Sequence, residues 1–516
     1  MIFTRPLPDV DIPDTALTSY VLARVAELGD KPALIDGPTG RALTYSELDT
    51  AIRSFAGGLV AQGFQTGQVL ALMSPNIPEY AVVFHGVAMA GGTITTINPT
   101  YTEYEAHHQL VDSGASLLVT TEMFLSVATA AAVDTSVTQI FVMGDGDVDG
   151  ATPIAALFGE PLAEQVPVSP GDVIALPYSS GTTGLSKGVM LTHRNLIANV
   201  AQSVAAARIR EDEMLIAVLP FFHIYGMQVL MNSGLRAGAT VVTMPRFDLE
   251  QFLDLHQRYG ITRSFVAPPI VVALAKHPIV DNYDLSKLEQ VFSGAAPLSA
   301  ELSIEAGLRL GCEVAQGYGM TEMSPVSHLT PPGRVKPGSV GVTAPNTQTR
   351  IVDPISGAEL DIDEDGEVCV RGPQVMLGYL NNPTATESTI DGDGWLHTGD
   401  IGHIDADGHL FIVDRLKELI KYKGFQVAPA ELEALLLSHP AIADAAVVGE
   451  LNDEAGEVPV AHVVLRPGHS STEKEIMDFV ADKVAHFKHV RDVVFTDQIP
   501  KSASGKILRR LIRRPD

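Results

Sequence analysis

The sequence predicts an α/β fold: a large N-terminal domain of parallel-rich sheets and helices with a β-rich subdomain, then a small α+β C-terminal domain. Three observations predict this. The 516 residues exceed the size at which one hydrophobic core keeps growing. Short apolar, β-branched runs alternate with helical patterns, which is typical of parallel strands joined by helices. After Asp414 the charge becomes balanced, so we predict domains over residues 1–414 and 415–516.

The elements follow from short apolar runs bounded by turn residues. In the N-terminal domain, strands are predicted at residues 69–73, 117–120, 139–143, 216–219 and 240–243. Gly/Asp turns separate closely spaced strands, which form the predicted β-rich subdomain, at residues 350–352, 367–371 and 410–413. The C-terminal domain is predicted to have amphipathic helices at residues 429–437 and 473–484 and a strand at residues 445–448.

Composition excludes several classes of protein. Hydrophobic residues make up 46% of the chain and charged residues 19%, which fits a folded protein with a large core. A net charge of −27 argues against a nucleic-acid partner. Cys312 and Cys369 have no metal-binding spacing, so buried, inert thiols are expected and a zinc site is not. Neither a signal sequence nor a transmembrane segment is predicted, and a cytoplasmic location is expected.

A Gly/Ser/Thr-rich run, YSSGTTGLSKG at residues 178–188, follows an apolar segment and precedes a helical pattern. Its freed backbone N–H groups, hydroxyls and single ammonium suit a polyphosphate. The spacing differs from GxxxxGK[ST], which disfavours an ordinary P-loop NTPase. The residues predicted to bind phosphate are Ser179, Ser180, Gly181, Thr182, Thr183, Gly184 and Lys187.

This run resembles the phosphate loop of the adenylate-forming superfamily, which includes acyl-CoA synthetases, luciferases and peptide-synthetase adenylation domains. Further motifs match that family in order: LTYS at 43–46, QGYGMTE at 316–322, GEVCVRG at 366–372, GWLHTGD at 394–400, DRLKELIKYKGFQ at 414–426 and PKSASGKILRR at 500–510. The GEVCVRG box is most similar to that of 4-coumarate–CoA ligases. The resemblance covers nearly the whole chain and implies ATP, Mg²⁺ and coenzyme A, with a C-terminal domain that is mobile about a hinge near Asp414.

The resemblance implies roles for the nucleotide-binding residues. Tyr318 is expected to stack on adenine, Thr321 to contact the α-phosphate, Glu322 to help hold Mg²⁺ and Asp400 to bind the ribose hydroxyls. The remaining members of the implied ATP site are Gln316, Gly317, Arg415, Lys417, Lys421 and Lys506.

Lys506 follows a glycine turn near the end of the chain. In the resembling enzymes, this lysine bridges the substrate carboxylate and the α-phosphate as the adenylate forms. A positive charge there is most effective in the transition state, where negative charge gathers around phosphorus. We therefore predict that Lys506, Thr321 and Glu322 are catalytic.

The resemblance also implies an acyl pocket and a coenzyme A site. His223 is expected to be a gate between acid and ATP rather than a general base. The pocket is expected to comprise His223, Tyr225, Gly226, Phe292, Ala295, Gly317, Met320, Pro325 and Val326. These positions supply no Lys or Arg for a second carboxylate and no Asp for an amino group, which implies a monocarboxylic acid. Residues expected to bind coenzyme A are Arg246, Lys423 and Gly424.

Several readings stay open at this point. Plant enzymes of the family carry Met where Phe292 stands and Leu where Ser327 stands, so the acid could be coumarate-like, cinnamate-like or a medium-chain fatty acid. An acyl-AMP ligase that delivers to a carrier protein, a luciferase-like oxygenase and a non-catalytic nucleotide sensor are the alternatives. The Lys423-Gly424 pair favours coenzyme A, and a sensor would not need Lys506.

Overall fold

The computed structural model describes residues 1–4, 7–144, 148–179, 186–423, 425–452, 455–502 and 505–512. Within these ranges the strands form four sheets, of eight, nine, five and five strands. The predicted α/β fold is confirmed. No helix among the described residues combines the length and apolar character needed to cross a bilayer.

The elements have the following bounds. The strands are β1 (Ile2–Thr4), β2 (Pro32–Asp36), β3 (Ala42–Thr44), β4 (Val69–Met73), β5 (Thr93–Ile97), β6 (Leu117–Thr121), β7 (Gln139–Met143), β8 (Thr152–Pro153), β9 (Val173–Ser179), β10 (Lys187–Thr192), β11 (Met214–Ala217), β12 (Thr240–Thr243), β13 (Arg263–Val266), β14 (Gln290–Ser293), β15 (Glu313–Gly319), β16 (Val326–Leu329), β17 (Val342–Thr343), β18 (Gln348–Val352), β19 (Gly366–Arg371), β20 (Gly378–Tyr379), β21 (Leu396–Ile404), β22 (Leu410–Arg415), β23 (Ile420–Tyr422), β24 (Phe425–Val427), β25 (Ile442–Asn452), β26 (Gly456–Leu465) and β27 (Asp492–Phe495). The α-helices are α1 (Leu17–Val21), α2 (Val25–Leu28), α3 (Tyr45–Ala61), α4 (Pro78–Met89), α5 (Glu103–Ser113), α6 (Leu125–Ala132), α7 (His193–Ala207), α8 (Ser233–Ala237), α9 (Leu249–Tyr259), α10 (Pro268–Lys276), α11 (Ala300–Leu310), α12 (Pro383–Thr389), α13 (Pro429–Leu437) and α14 (Glu473–Ala481). A π-helix spans Gly226–Asn232, and short 3₁₀ helices span Glu122–Phe124, Ile154–Leu157, Pro278–Asn282, Thr321–Met323, His486–Lys488 and Arg509–Leu511.

Two large sheets carry the parallel strands. The first has the order β20-β10-β9-β5-β4-β6-β7-β8 and is parallel from β9 to β8. The second has the order β17-β16-β15-β14-β13-β11-β12-β2-β3 and is parallel from β15 to β2. Their strands are buried on both faces, which explains their continuous apolar runs.

Apart from β1, the other two sheets are formed by the later part of the chain. The third sheet, β1-β18-β19-β21-β22, is antiparallel and forms the predicted β-rich subdomain. The C-terminal sheet, β24-β23-β26-β25 with β27 beside β26, packs with α13 and α14 around a core of its own that includes Ile420, Leu432, Val447 and Ile476. A separate core is what an independent C-terminal unit requires.

One predicted element is displaced in the structure and another is shorter than predicted. The strand predicted at residues 216–219 lies two residues earlier, as β11, because the Asn76 amide donates to the carbonyls of Ala217 and Leu219 where the chain leaves the sheet. The helix predicted at residues 473–484 ends at Ala481, since the Lys483 N–H bonds to the Val480 carbonyl in a tighter turn.

Candidate active site

A cavity of about 830 Å³ lies beyond the carboxyl ends of β9 and β15. Crevices outside the carboxyl ends of parallel strands are the usual ligand sites of α/β sheets. The cavity is also lined by residues that follow the predicted boundary at residue 414: Arg415, Leu416, Lys417, Lys501, Ser502, Lys506 and Leu508. The two parts of the chain therefore share one cavity.

Asp400 is buried beside this cavity and does not line it, but it contacts two predicted nucleotide-binding residues that do, Tyr318 and Arg415. The Tyr318 hydroxyl donates to Asp400 Oδ2 at 2.5 Å, and Arg415 Nε lies 3.3 Å from Asp400 Oδ1. Asp400 and Arg415 are paired across β21 and β22, so the backbone register holds them together. Burial raises the pKa of Asp400, and the Arg415 charge opposes this rise. A buried carboxylate with these neighbours can accept hydrogen bonds from ribose hydroxyls.

Glu322 lies at the phosphate end of the cavity. Its Oε1 atom accepts hydrogen bonds from Ser179 Oγ at 2.9 Å and from the Tyr379 hydroxyl at 2.8 Å. Lys187 Nζ lies 4.5 Å from the centre of the Tyr379 ring. A held carboxylate beside a lysine and Ser179, at the start of the predicted phosphate loop, can take a divalent cation together with phosphate oxygens. These residues therefore fit the implied Mg²⁺.

Lys506 enters the cavity from a tight turn. Its backbone N–H donates to Ser502 Oγ at 3.2 Å, and the Ser502 N–H donates to the Lys506 carbonyl at 2.8 Å. Gly505 has a φ of +82°, and a Cβ there would lie 3.3 Å from Ala267 Cβ, so glycine permits both the turn and the close approach. Burial lowers the pKa of Lys506 to about 8, assisted by Arg415 and opposed by Glu418 and Asp400.

The predicted acyl-pocket residues line a mainly apolar part of the same cavity, with one exception. Gly226 does not line the cavity but packs behind the residues that do, and a Cβ there would be 2.2 Å from the Pro220 carbonyl oxygen. The Tyr225 hydroxyl donates to the Phe292 carbonyl at 3.3 Å. The residues that do line it are His223, Tyr225, Phe292, Ala295, Gly317, Met320, Pro325 and Val326.

His223 stands between the acyl part and Lys506. Burial, together with the nearby Lys506 charge, lowers its pKa to about 4. The imidazole is therefore neutral at pH 7. This position fits the predicted gate between acid and nucleotide.

Other predicted residues lie elsewhere. Gln316 is buried behind the wall, where its amide donates to the Leu298 carbonyl at 3.2 Å. Lys417 is exposed at the rim of the cavity. Lys421, Lys423 and Arg246 are exposed and do not line it. The predictions for Ser180, Gly181, Thr182, Thr183, Gly184 and Gly424 fall outside the described residues.

Sequence reasoning missed part of the lining. Ser203 and Ala207 on α7 project into the acyl part, and their spacing of four places them on one helix face. That spacing could have indicated them. Tyr379 carried no local signal, because its role depends on a partner 57 residues away in sequence, Glu322. The other missed acyl-wall residues are Ile209, Val229, Phe265 and Leu329.

The fold and this cavity define an adenylate-forming enzyme. Comparison with known families agrees: the AMP-binding enzyme family matches residues 22–380, and the AMP-binding enzyme C-terminal domain matches residues 431–506. The chain belongs to the AMP-binding enzyme family.

Relatives match along nearly the whole chain. 4-Coumarate–CoA ligase 3 of Oryza sativa subsp. japonica is 47% identical over 99% of this chain and 94% of its own length. 4-Coumarate–CoA ligase 1 of Petroselinum crispum is 46% identical over 99% of this chain and 96% of its own. The predicted resemblance is confirmed.

Solved structures share the fold. The anthranilate CoA ligase AuaEII in complex with anthranoyl-AMP has a TM-score of 0.91 at 25% identity, covering 98% of this chain and 97% of its own. ATP-bound MatB from Rhodopseudomonas palustris has a TM-score of 0.87 at 30% identity, covering 97% and 98%.

Proposed function

We propose that this enzyme joins a monocarboxylic acid to coenzyme A in two half-reactions, with an acyl-adenylate between them. One observation carries the proposal: Lys506, Glu322, the apolar acyl residues and the two partners of Asp400, Tyr318 and Arg415, all line one cavity. The near-complete match to CoA ligases supports coenzyme A as acceptor rather than a carrier protein, and opposes a sensor or an oxygenase.

In the first half-reaction, a carboxylate oxygen of the acid attacks the α-phosphorus of ATP, and pyrophosphate leaves. Negative charge spreads over the phosphoryl oxygens as the new bond forms. The Lys506 ammonium, which lines the cavity, is proposed to stabilise that charge, while Asp400 and Tyr318 are proposed to hold the ribose and adenine. Losing one such contact typically lowers the rate about 10²- to 10³-fold.

Mg²⁺ is proposed to bind at Glu322. When bound there, the ion would neutralise charge on the phosphate oxygens. The chain's own contribution is the fixed Glu322 carboxylate, which Ser179 and Tyr379 hold from two sides.

In the second half-reaction, the coenzyme A sulfur attacks the acyl carbon, its proton passes to solvent, and AMP leaves. Lys423, Gly424 and Arg246 are proposed to serve this step. Lys423 is exposed on the C-terminal part and lies outside the cavity in this structure, so a rotation near Asp414 is required to bring it there. The domain division at residue 414 is part of this proposal. Domain motion of this kind orders successive reactions at one site.

An aromatic acid is the proposed substrate class. Phe265 and Phe292 line the acyl part, and their ring centres are 5.5 Å apart. The Ser203 hydroxyl also lines the cavity, is buried, and has no hydrogen-bond partner within the described ranges. A ring hydroxyl on the substrate could pair with it, which favours a coumarate-like acid over cinnamate. Ser327, by contrast, bonds to His328 at 3.0 Å behind the wall.

An acid panel tests the proposal. Purified enzyme with ATP and Mg²⁺ is given 4-coumarate, cinnamate, benzoate, anthranilate or a medium-chain fatty acid, and AMP release is measured with and without coenzyme A. We expect coenzyme A-dependent AMP release, fastest with 4-coumarate. Release that requires a carrier protein instead, or no pyrophosphate exchange with any acid, would refute the proposal. A medium-chain preference would overturn only the aromatic class.

Lys506→Ala separates the half-reactions. We expect acyl-adenylate formation to fall about 10²- to 10³-fold, while coenzyme A attack on a supplied acyl-adenylate continues. Lys474→Ala is the matched control, because Lys474 is exposed and pairs with Asp478 on its own helix. Equal loss of both half-reactions would contradict the proposed role of Lys506. The expected cytoplasmic location is a separate prediction, which cell fractionation checks.

A further inference from the structure

Glu367, Cys369 and His397 form a compact cluster on β19 and β21. Cys369 and His397 face each other in the antiparallel register of these strands. His397 Nδ1 lies 2.8 Å from Glu367 Oε2 and 3.5 Å from Cys369 Sγ. The three donor atoms all lie within 4.8 Å of one another. Two paired strands hold the donors, so the cluster is positioned by rigid backbone.

The donor set is one that zinc takes. Carboxylate oxygen, thiolate sulfur and imidazole nitrogen bind Zn²⁺ at about 2.0 to 2.3 Å, which places neighbouring donors about 3.3 to 3.8 Å apart in a tetrahedral site. The 3.5 Å Cys369–His397 separation fits this spacing, and the 2.8 Å hydrogen bond between His397 Nδ1 and Glu367 Oε2 would lengthen when an ion replaces its proton. The spacing of cysteines along the sequence did not suggest a zinc site, because these donors come from different strands.

A second contact supports the assignment independently. The other ring nitrogen of His397, Nε2, lies 3.6 Å from Asp391 Oδ2. Histidines that bind metal typically place their second nitrogen next to a carboxylate, which fixes the tautomer and orientation of the ring. Asp391 is itself held by the N–H groups of Asp393 and Trp395.

The charges around the cluster tolerate a divalent ion. Arg350 is the nearby cation, and Asp391 binds it at 2.9 Å. Glu367 and Asp391 are two carboxylates and Arg350 is one guanidinium, so the three side chains together carry one net negative charge. Binding of Zn²⁺ with release of the Cys369 thiol proton to solvent would leave the group neutral, since the ion adds two positive charges and the thiolate one negative.

Two of the three donors can be reached from the cavity, and Cys369 is buried behind them. Glu367 and His397 line the catalytic cavity, and the His397 side chain is 32% exposed. We propose that Glu367, Cys369 and His397 form a binding site for a thiophilic divalent cation, Zn²⁺, at the rim of the cavity. It is distinct from the proposed Mg²⁺ position at Glu322 and does not depend on the proposed function.

The test uses the full-length chain with excess Mg²⁺ present to occupy oxygen-donor sites. Zn²⁺ binding is measured by titration, and Co²⁺ loading is followed by absorption, because a cobalt–thiolate bond produces a ligand-to-metal charge-transfer band. We expect one Zn²⁺ per chain and a cobalt band that Zn²⁺ displaces. The Cys369→Ser variant should lose the band and at least tenfold in Zn²⁺ affinity.

Cys312→Ser is the matched control, because Cys312 is the chain's other cysteine and precedes β15. It should keep the band and the affinity. His397→Gln provides a second variant, expected to weaken Zn²⁺ binding about 10- to 100-fold, and circular dichroism confirms that each variant is folded. Absence of the cobalt band, or equal Zn²⁺ affinity in the wild-type chain and both site variants, would overturn the proposal.

Discussion

Lys506 is the residue whose chemistry depends most on its surroundings. Burial in the shared cavity lowers its pKa to about 8, so the ammonium that we propose to act in adenylation is lost as the pH rises through that value. We expect kcat/KM for adenylate formation to level off below pH 8 and to fall about tenfold per pH unit well above it, since kcat/KM reports the free enzyme. Pyrophosphate exchange measured across this range checks the prediction.

Lys506→Arg is the informative comparison for that profile. Its guanidinium stays protonated throughout, so activity that remains should not fall above pH 8. An alkaline fall of the same midpoint in the arginine variant would assign the titration to another group.

Tyr379 is expected to position the phosphate end of the site. The Tyr379→Phe substitution removes one of the two hydrogen bonds that Glu322 accepts, from Tyr379 and from Ser179. It keeps the aromatic ring next to Lys187. A hydrogen bond to a charged group contributes about 1.5 to 3 kcal/mol. We therefore expect at least a tenfold loss in adenylation, together with weaker Mn²⁺ binding measured by electron paramagnetic resonance.

Two further variants test the assignment of Tyr379. Tyr379→Leu also removes the ring and should lower adenylation further than Tyr379→Phe does. Tyr104→Phe is the control, since Tyr104 is 68% exposed. Unchanged Mn²⁺ affinity in Tyr379→Phe would show that the tyrosine acts only as packing.

At the scale of elements, the turn that carries Lys506 is anchored by Arg509. Its guanidinium contacts both Glu433 carboxylate oxygens, at 2.7 and 2.8 Å, pairs with Glu418 and donates to the Val447 carbonyl. Burial raises the pKa of Glu433 to about 7, and the Arg509 charge opposes this. One side chain therefore ties the last segment to α13, β25 and the segment after β22.

Arg509→Gln should release this anchor. We expect adenylation to fall at least tenfold while the coenzyme A step on supplied acyl-adenylate falls less, and unfolding of the C-terminal part at lower temperature, because a buried carboxylate loses its partner. Arg509→Lys should recover part of the activity, since one ammonium cannot contact Glu433, Glu418 and the Val447 carbonyl at once, as the three guanidinium nitrogens do. Arg466→Gln is the control, because the Arg466 guanidinium donates to the Ile442 carbonyl and has no carboxylate partner among the described residues. Equal loss in both half-reactions would assign Arg509 to stability alone.

Sequence patterns predicted an element more accurately where the residues that determine its bounds lie within the element itself. Pro429–Leu437 forms the predicted helix residue for residue, because a proline at its first turn and an apolar face both lie within the segment. The strand at Met214–Ala217 was displaced because its end is set by Asn76, which lies far away in sequence. Sequence motifs likewise indicated Tyr318, Asp400 and Lys506 but not Ser203 or Tyr379, whose roles depend on tertiary neighbours.

At the scale of the whole molecule, the two parts of the chain meet where Gly505 approaches Ala267. A Cβ at residue 505 would lie 3.3 Å from Ala267 Cβ, near the separation of about 3.5 to 4.5 Å found in disulfides. The double variant Gly505→Cys, Ala267→Cys should therefore form a cross-link under oxidation. Compared with its own reduced form, the oxidised variant should keep pyrophosphate exchange and lose coenzyme A transfer.

In each single cysteine variant, pyrophosphate exchange and coenzyme A transfer should be the same after oxidation and after reduction. These variants control for the strain that a side chain introduces at residue 505 and for the native thiols. Full coenzyme A transfer in the cross-linked form would show that both half-reactions use one arrangement of the chain.

The shared cavity has a final consequence for the intermediate. Leu416, Lys417, Ser502, Lys506 and Leu508 cover a site in which a mixed anhydride would form, and such anhydrides are readily hydrolysed. An enzyme that covers its intermediate in this way stalls when the thiol is missing. With acid and ATP but no coenzyme A, we expect a burst of one pyrophosphate per chain and then only a slow leak, so that ATP consumption is coupled to acceptor supply.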